Sequence, residues 1–183
     1  MSEISDETVI NHTQNWIKDV VIACNFCPFA ASALLKNKIR YRVLRTKEVQ
    51  TALEAVLQEC ALLDEDEQIE TTLLIFPTGF DDFDAYLDLV AIAEELLIAS
   101  NYEGEYQVAS FHPNYLFAEV EFADPANYTN RSVYPMLHLL REASVENAIN
   151  TYPNAAEIPD KNVAFARKKG LQYMQQLRTL CLR

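Results

Sequence analysis

Side chains able to do chemistry concentrate in two stretches, residues 24–30 and 111–142. In the first, Cys27 precedes Pro28, and proline is favoured at the first position of a helix. That order makes Cys27 the N-cap, with its sulfur against unpaired N–H groups and the positive end of a helix dipole. Such surroundings lower a thiol pKa and supply a thiolate nucleophile at neutral pH. Cys24 stands three residues earlier and completes a C-x-x-C spacing. The pair follows a helical pattern rather than a strand, which weakens a thioredoxin-like redox reading. The competing reading is two small cysteines packing a helix junction. Cys60 lies on a helical apolar stripe and reads as core, and Cys181 as incidental.

In the second stretch, His112 begins the short link His112-Pro113-Asn114-Tyr115. A histidine there titrates near neutral pH and suits general acid–base work, or else it is a turn residue bonded to backbone. The loop over residues 123–134 is long for a compact domain. It offers Asn130, Arg131 and Tyr134 as substrate contacts, with Arg131 suited to bidentate recognition of a carboxylate or phosphate. Alternatively, its Asn and Thr side chains satisfy the loop's own backbone. His138, Arg141 and Glu142 are spaced three and four apart, as on one helix face. His138 is then a second acid–base candidate, or with Glu142 a pair of metal ligands, and Arg141 a second anion contact. An intrahelical salt bridge on a solvated face is the bland reading.

These segments resemble a known signature. Cys27-Pro-Phe-Ala30, Ser110-Phe-His-Pro113, residues 127–135 and His138-Leu-Leu-Arg-Glu-Ala-Ser144 look like those of an uncharacterised bacterial family catalogued as a domain of unknown function, number 1415. The resemblance covers nearly the whole chain and implies kinship without an activity. It implies that Cys27, His112, Arg131, His138 and Arg141 are the family's recurrent polar positions. The sequence departs from the pattern at Cys24, Val133 and Glu119.

The elements that must position these residues follow from periodicity. Val9, Thr13, Trp16, Ile17, Val20 and Val21 mark an amphipathic helix over residues 6–23. Alternation at Ile39, Tyr41 and Val43 marks a half-exposed strand, and a helix follows over about residues 47–63. Residues 72–76 form an unbroken apolar run, the mark of a strand buried on both faces. A helix from Phe83 to about Ser100 follows. Residues 106–111 and 116–122 read as two strands of an antiparallel hairpin, residues 135–150 as a helix and 160–181 as the last one. The order α-β-α-β-α-β-β-α-α predicts an α+β fold, a mixed sheet of about four strands covered by helices, in one domain over residues 1–183.

Composition excludes several classes. The net charge of -12 on 183 residues argues against nucleic-acid or anionic-membrane partners, which need a basic face. No apolar run approaches the ~20 residues of a spanning helix, and the polar N-terminus shows no signal-peptide pattern, so the expected setting is cytoplasmic with free thiols. The three glycines form no phosphate-cradling loop. The expectation is therefore a small-molecule enzyme or binder with an anion-recognising site. Cys27, His112 and His138 would do the chemistry, Asn130, Arg131, Tyr134 and Arg141 would hold a small anionic ligand, and no cofactor or metal is needed. The alternatives are a metal-binding protein using Cys, His and Glu donors, and an interaction protein whose polar signature is structural.

Overall fold

A computed structural model describes residues 4–183. Helix α1 (Asp6–Trp16) is capped by Ser5, whose Oγ accepts the Thr8 N–H at 3.2 Å. It runs directly into a wider π-helical segment, Ile17–Ile22, where the Ala23 N–H reaches back five residues to Lys18 O at 3.1 Å. A turn with Asn25 in the left-handed region (φ 54°) leads to the short α2 (Ala30–Leu35). Then follow β1 (Ile39–Val43), α3 (Val49–Glu65), β2 (Thr71–Ile75), α4 (Phe83–Ala99), β3 (Tyr106–Phe111), β4 (Met136–Arg141), α5 (Glu142–Thr151), α6 (Ile158–Lys169) and α7 (Leu171–Leu180).

The strands form one mixed sheet in the order β1-β2-β4-β3, the α+β arrangement expected from the sequence. Only β1 and β2 are parallel, joined through α3, and the other two pairings are antiparallel. All five residues of β2 are buried, as the unbroken apolar run 72–76 predicts. Side-chain alternation sends Leu74, Leu137 and Leu139 toward α3 and α4, where they meet Val56, Cys60, Leu63 and Leu89. It sends Leu73, Ile75 and Met136 to the opposite face, against Trp16, Ile17 and Val20.

Four local expectations are corrected. The fourth strand is Met136–Arg141 rather than residues 116–122, and no hairpin joins 106–111 to 116–122. Leucine and methionine are good helix formers, so this strand runs into α5 with no break in the pattern, and periodicity alone cannot separate a short buried strand from a helix. The slot between β2 and β3 decides the matter: Met136, Leu137 and Leu139 are all fully buried there. The alternation at 116–122 is real, but the segment joins no strand of the sheet, and side chains hold several of its backbone groups. The Phe117 N–H donates to Asn127 Oδ1 at 3.0 Å, and Arg131 donates to Tyr115 O and Phe122 O, both at 2.9 Å. The third correction concerns Cys27. Helix α2 begins at Ala30 after a Pro28-Phe29 turn, and Cys27 contributes its carbonyl, accepting the Ala30 N–H at 3.3 Å, rather than capping with its thiol. Fourth, the C-terminal helix is two helices broken at Gly170, whose φ of 85° interrupts the helical turn.

Candidate ligand cavity

A cavity of about 300 Å³ opens on the sheet face turned away from α3 and α4. Its floor is Thr71 and Leu73 of β2, His138 and Leu140 of β4, and Gln107, Ala109 and Phe111 of β3. The register explains this set, since Ala109 pairs with His138 and Leu73 lies opposite it on the other side. The roof comes from Trp16, Ile17 and Val21, from Cys27, Phe29, Ala30 and Ala33, and from Ser144, Val145 and Ala148 of α5. The space exists because small residues face each other across it, Ala30, Ala33 and Ala148 above and Ala109 below. Neither α2 nor α5 buries a single residue. They stand off the sheet, bridged by an edge-on contact of Phe29 with Tyr152 at 5.5 Å between ring centres. The π-helical segment forms one wall, and such widened turns are frequent at functional sites.

The walls are mainly apolar, and the polar exceptions are specific. His138 Nε2 lies 2.6 Å from Thr71 Oγ1, and that hydroxyl donates to Leu139 O at 2.5 Å. Although part of the ring remains reachable from the cavity, its surroundings are dry enough that burial pulls the His138 pKa down to about 4. The imidazole is therefore neutral at physiological pH. Cys27 is half-buried in the same cavity, whereas Cys24, Cys60 and Cys181 are buried elsewhere, with thiol pKa values raised by burial.

Of the seven sequence-derived site residues, the cavity collects Cys27, His138 and Arg141. Arg141 stands at the rim, where its guanidinium is given over to the end of α3. It donates to Leu63 O, Asp66 O and Ile69 O, and to Tyr106 Oη at 3.1 Å. A cation on the last carbonyls of a helix stabilises them and complements the dipole. His138 is on a strand, so the single helix face proposed for His138, Arg141 and Glu142 does not form.

The other four residues lie elsewhere. His112 is fully buried beside Phe83 and Tyr86. Its Nε2 lies 2.9 Å from Phe80 O and its Nδ1 accepts the Asn114 N–H at 3.0 Å, while burial lowers its pKa. Arg131 is buried under residues 115–122, its guanidinium 4.4 Å from the Phe122 ring centre and 4.8 Å from that of Tyr128. Its own carbonyl accepts from Trp16 Nε1 at 3.2 Å, which fixes one wall of the cavity. Asn130 reaches Ser110 O at 3.4 Å, and Tyr134 Oη lies 2.7 Å from His12 Nδ1. The polar signature thus divides: one part staples the irregular connection from β3 to β4, and the other borders the cavity.

Sequence reasoning missed Thr71, Gln107 and Ser144, which also face the cavity. The only signal for Thr71 was a threonine at the start of a mainly aliphatic strand. Among the described residues no three or more His, Cys, Asp or Glu side chains come together as a metal site, and no helix is long and apolar enough to cross a membrane.

No curated protein and no solved structure shows significant similarity to the chain. Residues 8–176 match the model of a family described as "Protein of unknown function (DUF1415)", and the chain belongs to that family.

Proposed function

We propose that this protein binds a small, mainly apolar organic molecule in the cavity between the sheet, α2 and α5. His138 and Cys27 are its contacts for chemistry or orientation. The observation that carries the reading is the cavity itself. At about 300 Å³ it has the size at which ligand sites begin, and its apolar wall with a few convergent polar groups is their usual composition. An anionic ligand fits less well. The Arg131 and Arg141 guanidiniums are directed to carbonyl oxygens, and an apolar wall penalises a charge. In this reading His112, Asn130, Arg131 and Tyr134 hold the connection that positions β4 and its histidine. The free cysteines fit a reducing, cytoplasmic setting.

Protection of Cys27 tests the proposal. Alkylation by iodoacetamide, followed by peptide mass spectrometry, should label Cys27 first, because the other three thiols are buried. Saturating naphthalene or 2-naphthol should slow it at least several-fold. In Ala109→Leu the new side chain occupies the cavity, and the protection should vanish while the fold persists. If neither compound protects Cys27 nor raises the melting temperature, the binding proposal fails.

A further inference from the structure

The donor and acceptor pattern at the cavity floor narrows the ligand class, an inference that rests on the binding proposal above. A threonine hydroxyl has one proton to give. At Thr71 that proton goes to Leu139 O, 2.5 Å away. The 2.6 Å contact between Thr71 Oγ1 and His138 Nε2 then requires the nitrogen to be the donor. A neutral imidazole carries a single ring proton, so with Nε2 protonated, Nδ1 is a bare lone pair. Nδ1 has no hydrogen-bond partner among the described residues. It is also not sealed in, because the one buried side-chain polar atom without a partner among them is Tyr41 Oη. Since His138 lines the cavity, that open acceptor is what the polar floor presents to a guest.

We infer that the cavity selects uncharged, compact apolar molecules carrying one O–H or N–H donor, such as phenols or alcohols, which donate to His138 Nδ1. Thr71 acts as a positioning residue: through Leu139 O it fixes which imidazole nitrogen is protonated. The other charged and titratable groups bordering the cavity are Cys27, Glu70 and Arg141. Glu70 lies 3.8 Å from Lys38 Nζ, and Arg141 is turned to the end of α3.

Four naphthalene probes test the inference by calorimetric titration near neutral pH: 2-naphthol, 2-methoxynaphthalene, naphthalene and 2-naphthoate. A hydrogen bond to a partner that otherwise goes unpaired is worth about a factor of ten in affinity. The parent should therefore bind 2-naphthol about tenfold tighter than 2-methoxynaphthalene or naphthalene, and 2-naphthoate most weakly. In Thr71→Val the proton is free to choose either nitrogen, and the preference should fall to about two- or threefold. In His138→Leu it should vanish while naphthalene still binds. Nitrogen-15 NMR of labelled histidine gives a ligand-independent check. His138 should show a protonated-type shift at Nε2 and an unprotonated-type shift at Nδ1, and Thr71→Val should shift both toward an average. Equal binding of 2-naphthol and 2-methoxynaphthalene would overturn the donor inference and leave cavity binding intact. A proton found on Nδ1 would overturn it whatever the probes do. Failure of all four probes to bind would remove both this inference and the proposal beneath it.

Discussion

Acidification should destabilise this protein through His138 by an amount that one substitution can isolate. The imidazole has a pKa of 6.5 in the unfolded chain and about 4 in the fold, lowered by burial. The unfolded chain therefore takes up the proton first. The contribution is fully present above the unfolded value, and stability is lost as pH falls from 6.5 toward 4. Going from about pH 7.5 to about pH 5, the two values convert to roughly 2 kcal/mol. The ring keeps some contact with the water-accessible cavity, so about 1–2 kcal/mol is the expected loss. For a chain of this length that is a fall of about 2–8 °C in melting temperature. His12 and His112 are also lowered by burial and add to the total, so the parent alone is not diagnostic. His138→Gln keeps an N–H to face Thr71 but does not titrate. Urea unfolding of both proteins at the two pH values gives the double difference. A variant that loses as much stability on acidification as the parent would refute the claim that burial holds His138 neutral.

Three further outcomes follow from the packing. Arg131→Gln should lower stability by about 2–3 kcal/mol, because two charge-assisted hydrogen bonds from the buried Arg131 to Tyr115 O and Phe122 O disappear; a melting curve unchanged within a degree would contradict this. Glu59 is 1% exposed and accepts from Arg40 at 2.7 Å, Arg42 at 3.1 Å and Thr72 at 3.2 Å. Glu59→Gln should cost about 2–3 kcal/mol by leaving two guanidiniums without their carboxylate, as chemical denaturation would show. At Gly79 an added Cβ would sit 1.9 Å from Thr46 O, a backbone atom, so Gly79→Ala should destabilise by about 1–3 kcal/mol of overpacking strain, and a neutral result would mean the two segments are not in close approach.

Some of this molecule could be read from the sequence. The apolar periodicity of α1 and α4 and the apolar run of β2 are local signals, and the structure follows them. Cys27 and His138 were legible as candidate chemistry from residue type alone, and they do border one cavity. Other features depended on partners distant in the chain. Whether residues 136–141 become strand or helix is set by the slot between β2 and β3, whose residues lie more than sixty and about thirty positions earlier. Arg131 could not be told apart from an anion-binding arginine by sequence, because its acceptors are carbonyl oxygens, and every residue has one. The same holds for Arg141 at the end of α3. The proton on His138 is fixed by Thr71, sixty-seven positions earlier on a neighbouring strand, whose hydroxyl is turned to Leu139 O. Periodicity and capping act within a turn or two of chain, so the sequence determines the elements they govern. Burial, hydrogen-bond pairing and cavity shape arise only when strands and helices meet, so the side chains left open to a ligand were decided by the tertiary structure.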